Sequence, residues 1–303
     1  MKRKAMWTAV VLVLLATMAA GQEQRQFLDV YTVQVKPDKR AEFDAITKKI
    51  VAANHQNQGD FWLTMETVYG AGNRVTFIST RQGYGDAEKA SETFYGAIQK
   101  ALGKPGTDKL FQDYNQCVVS SRSEFRLRRW DLSSNAPADS AAMAKMLGES
   151  RWLRTTIVHV RPGQIEAFEA LARDLKTARE KASPPQTALV SQAVAGQEGT
   201  VFYVTLLQKS LADFDALPSM QKLLGDEGYA KFLKVNGDAV ANTETLINHF
   251  LPELSNAPDD VVAAAPDYWR PKAIMAAKTA TKKAAAGVDA ATAGKMADKS
   301  QQH

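Results

Sequence analysis

One histidine stands where it could act as a base or bind a metal ion. Thr156, Val158 and Val160 alternate with other residues at a period of two, which is typical of a β-strand. His159 would then face the opposite side of the sheet from these three residues. If that side faces a cavity, the imidazole is available for proton transfer or ligation. If it does not, His159 is a hydrogen-bonded or solvent-facing side chain.

Gln34 holds the corresponding position in an earlier segment, in which Tyr31, Val33 and Val35 alternate in the same way. Gln34 and His159 are therefore candidates for lining one cavity with different chemistry. The difference between Gln34 and His159 is compatible with chemistry at only one of the two positions, and equally with neutral sequence divergence.

A third segment alternates charged and apolar residues, with Glu124, Arg126 and Arg128 flanking Phe125 and Leu127. Such alternation usually marks a strand with one face in water. In a closed cavity the same arginines would bind a carboxylate or another anionic ligand, because a guanidinium makes bidentate contacts. We take Arg126 as a candidate ligand-binding residue, with both alternatives open.

His249 and Trp62 complete the candidate set. His249 lies in the expected last strand of the chain, and Trp62 enters an expected strand after a polar loop. Aromatic residues in strands are more often core than ligand contacts. The candidate cavity residues are thus Gln34, Trp62, Arg126, His159 and His249.

Several strong signatures are missing from the chain. It has no paired-cysteine motif, HExxH, Walker loop, GxSxG elbow or dinucleotide fingerprint. Covalent catalysis, zinc catalysis and nucleotide binding are therefore less favoured. No metal site is predicted, and the catalytic residues are unknown. Cys117 is the single cysteine, and we expect it to be a buried structural thiol.

The elements that must position these residues occur twice. Three segments recur in the same order about 125 residues later, which indicates a tandem duplication. The matching pairs are Val33–Ile46 with Val158–Leu171, Val68–Ile78 with Val194–Val204, and Ile98–Gly103 with Met220–Gly225.

Each copy has a strand, a helix, two strands around a glycine turn, a second helical region and a last strand. Pro37 and Pro162 suit the first turn of the first helix, and the second helical region is expected at about 86–114 and 211–235. The order βαββαβ is the ferredoxin-like motif. We therefore predict an α+β fold of two ferredoxin-like domains, packed sheet to sheet as an α/β barrel within one chain.

The pattern Val-x-Val-(Lys/Arg)-Pro-(Asp/Gly)-x-x-x-x-Phe begins at Val33 and again at Val158. With the strand pair that follows, it resembles the dimeric α/β-barrel superfamily and is similar to antibiotic-biosynthesis monooxygenases. The resemblance implies two sheets around a cavity, and either cofactor-independent or haem-using oxidation of aromatic substrates. The Asn, Trp and His set of haem-degrading relatives has no residue-by-residue match here, so haem is a possible cofactor and no more.

The ends of the chain differ from its middle. Lys2-Arg3-Lys4, an apolar run and the small residues Ala19-Ala20-Gly21 predict a cleaved secretory signal, the alternative being an uncleaved anchor. The expected division is a signal at 1–21, domains at 27–132 and 152–254 joined by a linker at 133–151, a cap at 255–271 and a disordered Ala/Lys-rich tail at 272–303.

The formal net charge of the 303 residues is +5, but the lysines of the signal and the tail account for it. The domains are close to neutral, so we expect no nucleic-acid partner for them. The Lys-rich tail could bind envelope polyanions, or could be only a solvated tail.

The sequence thus predicts an exported protein, periplasmic or secreted, that binds a small apolar or aromatic molecule or acts as a scaffold. The alternative is a monooxygenase-like enzyme that acts on such a molecule in the barrel cavity. We expect no stable membrane span after signal cleavage. The assembly is either a monomeric barrel within one chain or a homodimer.

Overall fold

The computed structural model describes residues 26–270 apart from Pro185. The predicted signal at 1–21 and tail at 272–303 lie outside the described residues. Within them, two similar units follow each other along the chain.

The first unit has the predicted order βαββαβ. Its elements are β1 (Phe27–Val35), a 3-10 turn (Pro37–Lys39), α1 (Arg40–Gln56), β2 (Leu63–Tyr69), β3 (Arg74–Arg81), α2 (Tyr84–Cys117) and β4 (Val118–Arg128). The segment 133–151 contains a helix, α3 (Ser140–Glu149).

The second unit repeats this order. Its elements are β5 (Trp152–Val160), α4 (Ile165–Lys181), β6 (Leu189–Ala195), β7 (Thr200–Gln208), a 3-10 turn (Ala212–Phe214), α5 (Met220–Ala239) and β8 (Val240–Phe250). A 3-10 turn (Pro252–Leu254) and the short helices α6 (Asp259–Ala264) and α7 (Pro266–Trp269) follow.

The helix starts differ from the prediction in two places. Pro37 is the first residue of the 3-10 turn that continues directly into α1, as expected, whereas Pro162 lies in a turn that precedes α4. In the second unit, α5 begins only at Met220, where the Ser219 side chain accepts a hydrogen bond from the backbone N–H of Lys222. Between residues 211 and 219 the chain has only the 3-10 turn and irregular structure where a helix was expected.

The second helix of each unit is kinked at the same repeat position. Gly103 has φ +67° and Gly225 has φ +69°, a left-handed conformation that glycine adopts without steric cost. The kinks therefore belong to the duplicated unit, and they let each long helix bend over its sheet.

The eight strands form one closed antiparallel barrel in the order β1-β3-β2-β8-β5-β7-β6-β4. Strand β2 pairs with β8, where Met65 is opposite Phe250, and β4 pairs with β6, where Arg128 is opposite Ser191. These two pairings join the halves and leave no free sheet edge. The prediction of an α+β barrel built within one chain is confirmed.

The two faces of the sheet follow the alternation of the sequence. Val33 and Val35 pack outward with Phe43, Ile46 and Ile50 of α1. In the second unit, Val158 and Val160 pack outward with Phe168 in the same way. The residues between the valines, which include Gln34 and His159, face the inside of the barrel.

Helices α3, α6 and α7 close one end of the barrel. Leu153 and Phe250 form an apolar cluster there with Val261 and Trp269. The Trp269 indole N–H donates to the Gly148 carbonyl oxygen at 2.9 Å, and this bond ties α7 to α3. The predicted linker and cap segments thus both contribute helices to this plug.

Cys117 is buried at the end of α2, where its Sγ lies 3.4 Å from the Asp113 carbonyl oxygen. No helix between residues 26 and 270 is long and apolar enough to cross a membrane.

We expect Trp269→Ala to lower the free energy of unfolding by about 3–5 kcal/mol, because it leaves a cavity in the plug and removes the bond to Gly148. Trp269→Phe keeps most of the ring and loses only the hydrogen bond, so its loss should be much smaller. Urea unfolding followed by circular dichroism measures both. A loss below about 1 kcal/mol for Trp269→Ala would show that the plug does not contribute to stability.

Candidate functional site

The end of the barrel opposite the plug contains a polar cavity of about 410 Å³. Gln34, Arg126 and His159 all line it, so the structure brings three of the five candidate residues together. The wall between them is also polar, and includes Arg74, Ser120, Arg122, Glu124, Gln197, Tyr203, Glu244 and Asn248.

Glu124 is the centre of a hydrogen-bonded cluster in this cavity. The Arg126 Nε donates to its carboxylate at 2.8 Å, the Tyr203 hydroxyl at 2.5 Å and the Gln197 amide at 2.9 Å. The Arg126 guanidinium also lies 3.5 Å from the centre of the Tyr203 ring. Burial, together with the bond to Glu124, raises the pKa of the Tyr203 phenol. Because Glu124 already neutralises Arg126, this arginine is poorly placed to bind a ligand anion.

Gln34 is likewise engaged, since its amide donates to the Gly72 carbonyl oxygen at 2.6 Å. His159 lines the cavity opposite Val201 and Asn242 in the strand register. No acidic side chain is held against it by a described ion pair. The geometry therefore provides an imidazole without the orienting partner that a catalytic base usually has.

The structure does not bring His249 into this cavity. Its neighbours Asn248 and Phe250 face inward, so His249 faces outward, where its ring centroid lies 4.5 Å from that of Trp152. Burial lowers the pKa of His249 below its ordinary value. His159 and His249 are consequently on opposite sides of the barrel wall and cannot act as a pair.

Trp62 is also outside the polar cavity. The residue is 6% exposed, its indole N–H donates to the Leu254 carbonyl oxygen at 2.9 Å, and its ring meets that of Phe94 edge to face. It lies in a wall shared by two other cavities, one inside the barrel and one outside.

The cavity inside is a chamber of about 310 Å³ next to the plug. Its walls are mostly apolar, and include Leu28, Leu63, Ile78, Leu153, Leu189, Leu207 and Phe250. Arg126 lines both this chamber and the polar cavity, whereas Arg128 lines the chamber and not the polar cavity.

The cavity outside lies between the outer face of the first sheet and helices α1 and α2, with a volume of about 490 Å³. Seven aromatic rings line it, and we call it the aromatic pocket. They are Tyr31, Trp62, Phe77, Phe94, Tyr95, Phe111 and Tyr114. Alternate residues of β1 and β3 supply its floor, and turns of α2 on both sides of the Gly103 kink supply its walls.

The rings of the aromatic pocket support one another. Tyr31 and Phe77 lie opposite each other on β1 and β3 with stacked rings, and Tyr95 packs on Phe94 and Phe111 at centroid distances of 5.3 and 5.2 Å. Burial raises the pKa of Tyr114, and the neighbouring Tyr31 hydroxyl adds to the rise. The walls are therefore held in place before any ligand enters.

One edge of the aromatic pocket is charged. Arg81 binds Asp60 through two bonds of 3.0 and 2.5 Å, and its Nε lies 3.5 Å from Asp29. Two carboxylates share one guanidinium, so this edge carries a net negative charge when both are ionised. Burial raises the pKa of Asp29, the Arg81 charge opposes that rise, and the Asp60 charge adds to it.

The second unit does not repeat these residues. At the offset of the repeat, Arg154 stands for Asp29 and Thr156 for Tyr31. The inward side chains of the strands, from which the candidate residues were predicted, give no sign of the aromatic pocket. The available signal was the cluster of aromatic residues in α2, which lies next to the outward face of β1.

The residues present do not fit a haem. No His or Met lines the aromatic pocket, and the raised pKa of Tyr114 disfavours the phenolate needed for ligation. His159 is available, but the polar walls around it do not match an apolar macrocycle. Among the described residues, no group of three His, Cys, Asp or Glu side chains could hold a metal ion.

No protein-family model and no curated protein sequence matches this chain. Among solved structures, an anthrone oxidase-like protein is 16% identical with a TM-score of 0.50, over 76% of this chain and 92% of its own. A candidate monooxygenase from Lactobacillus acidophilus is 10% identical with a TM-score of 0.44, over 74% and 93%. A chlorite dismutase from Candidatus Nitrospira defluvii is 11% identical with a TM-score of 0.45, over 79% and 95%. At these identities the likeness concerns the fold alone.

We expect Asp29 to titrate above its ordinary pKa of 3.8. Because the folded protein holds this proton more tightly than the unfolded chain, ionisation of Asp29 lowers the free energy of unfolding as the pH rises between 3.8 and the folded-state pKa. Asp60→Asn should lower the pKa and Arg81→Met should raise it further. Carboxyl ¹³C NMR titration measures the Asp29 pKa in the unmodified protein and in both variants. A value at or below 3.8 in the unmodified protein would contradict the burial argument.

Proposed function

Starting from a complete dimeric α/β-barrel fold built by one chain, we propose that this protein binds a small aromatic molecule in the aromatic pocket of its first unit. The observation that carries the proposal is the seven-ring lining of a pocket of about 490 Å³. Stacked and edge-to-face contacts with a planar ligand would add to the burial of apolar area. A few polar groups at one edge, as here, commonly fix the orientation of a bound molecule.

The exposure of the rings supports a ligand. Tyr95 is 48% exposed on the same helix as the half-buried Phe94 and Phe111, so this surface still has apolar area to remove from water. Rings that served only as core would be covered by the protein itself. The negative edge favours a neutral ligand, or one with a hydroxyl or amine group that can donate to Asp29.

We further propose that the protein works outside the cytoplasm, periplasmic or secreted. The basic start, apolar run and small residues before Gln22 support this proposal. The protein recovered from the periplasm of a bacterial host should begin at Gln22, and an N-terminus at Met1 in that fraction would oppose cleavage.

The 303-residue protein, expressed in a bacterial host, should bind the tricyclic ketone anthrone, and isothermal titration calorimetry measures the affinity. Ser91 lines the aromatic pocket yet is exposed, so Ser91→Trp should narrow the pocket without disturbing the core. We expect it to weaken binding at least about tenfold, which corresponds to about 1.4 kcal/mol.

Glu92→Trp is the matched control. Glu92 is the next residue of α2, is exposed and does not line the pocket. Its variant should bind as the unmodified protein does. The proposal fails if Ser91→Trp and Glu92→Trp weaken anthrone binding equally. It also fails if the unmodified protein binds neither anthrone nor naphthalene, a second aromatic probe.

Asp29 favours a second candidate function, a cofactor-independent monooxygenase-like enzyme. A partly buried carboxylate with a raised pKa is a better proton acceptor than a free one, and it stands at the edge of a pocket for an aromatic molecule. It could accept a proton from an acidic C–H of the ligand, and the resulting carbanion is the form that dioxygen oxidises.

Oxygen consumption separates the two candidates. For an enzyme, bound anthrone should consume dioxygen, and Asp29→Asn should lose this activity while it still binds anthrone. If anthrone binds without consumption of dioxygen, the enzyme function is ruled out and the ligand-binding function stands.

A further inference from the structure

We propose a second ligand site inside the barrel, in which Arg128 binds the carboxylate of a small amphipathic acid and the chamber beside the plug holds its apolar part. This site is separate from the aromatic pocket and does not depend on the function proposed for it. Trp62 and the Asp60–Arg81 pair lie in the wall that the two cavities share.

Arg128 is a half-buried cation without a counter-charge among the described residues. Its Nε is shielded from solvent and has no hydrogen-bond partner, and no described acidic residue forms an ion pair with the guanidinium. The guanidinium makes a cation–π contact with Trp130, whose ring centroid lies 5.5 Å away. An isolated buried charge is costly unless something pairs with it.

The group nevertheless stays charged. Burial lowers the pKa of Arg128 only to about 10, so the guanidinium is protonated at neutral pH. The side chain keeps some accessible surface even though it lies deep in the protein, because it lines the chamber. A molecule inside the chamber can therefore reach it.

Arg126, on the same strand, has the charge partner that Arg128 lacks. Two residues before Arg128 and on the same inner face, it is bonded to Glu124 and stacked on Tyr203. The other cation beside the chamber, Arg81, is held by Asp60 and Asp29. Of the three arginines that line the chamber, Arg128 is the one with no acidic partner between residues 26 and 270, so its charge is available for an anion.

The walls determine the rest of the ligand. Leucines and Phe250 supply much of the chamber wall, and its polar residues besides Arg128 are the paired Arg81, Asp60 and Arg126 and the small side chains Ser79, Thr80, Thr155, Ser191 and Thr205. One guanidinium suits a single carboxylate, which it binds bidentately, whereas a phosphate dianion would need further donors. The apolar walls favour an alkyl or aryl group, as in a medium-chain fatty acid or an arylacetic acid.

The probes are octanoate and phenylacetate, with octanol as the uncharged analogue of the first. We expect calorimetric binding of both acids at neutral pH, and binding of octanol at least about tenfold weaker. Arg128→Met keeps the length of the side chain and removes the charge, so it should weaken octanoate at least about tenfold and leave octanol unchanged. Arg122→Met is the matched control, because Arg122 lies on the same face of β4 but in the polar cavity, bonded to Gln197.

The ligand-free variant gives an independent reading. Because Arg128→Met removes an uncompensated charge, it should raise the midpoint of thermal unfolding, whereas a variant that merely disrupts the barrel lowers it. If Arg128→Met does not fold, the unmodified protein still decides the matter: the carboxyl ¹³C signal of bound octanoate should stay that of the ionised form below the pKa of the free acid.

Three results would overturn the site: no binding of either acid, equal binding of octanoate and octanol, or octanoate binding that Arg128→Met does not weaken. Ser91→Trp distinguishes this site from the aromatic pocket. It should weaken anthrone binding at least about tenfold and leave octanoate binding unaffected, so either proposal can fail while the other stands.

Discussion

Each unit covers only one face of its sheet with helices, and the other face has to be removed from water. The chain meets this constraint by joining the edge strands of the two units, β2 to β8 and β4 to β6, in one closed ring of hydrogen bonds. Every strand thereby gains two neighbours, and the uncovered faces become an interior. The polar cavity and the chamber inside the barrel take their shape from this closure.

Closure also decides which charges have to be compensated. Glu124 and Arg126 would be solvated on an open sheet, but inside the barrel they need each other, Tyr203 and Gln197. This cluster separates a polar cavity, at the open end, from an apolar chamber beside the plug. Arg128, two residues further along β4, has no such partner among the described residues. Arg126 is therefore part of the cavity wall, whereas Arg128 is proposed to bind a ligand.

The aromatic pocket arises outside the closed ring, where the duplicated halves have diverged. The kinks at Gly103 and Gly225 show that both units retain the bent helix over the sheet. Only the first unit combines it with Asp29 and Tyr31, because the second has Arg154 and Thr156 at those positions. Duplication thus supplied the frame twice, and substitution of outward residues made one of the two helix–sheet interfaces into a pocket.

The sequence by itself determined the repeat, the βαββαβ order and the inward position of Gln34 and His159, because alternation along a strand and apolar spacing along a helix are local properties. It could not determine that His249 faces outward, since that depends on the pairing of β8 with β5 and β2 across the chain. Nor could it show that rings from β1, β3 and both parts of α2 converge, or that Glu124 neutralises Arg126 and leaves Arg128 alone. Only the tertiary structure decided these points, because they depend on contacts between residues far apart in the chain.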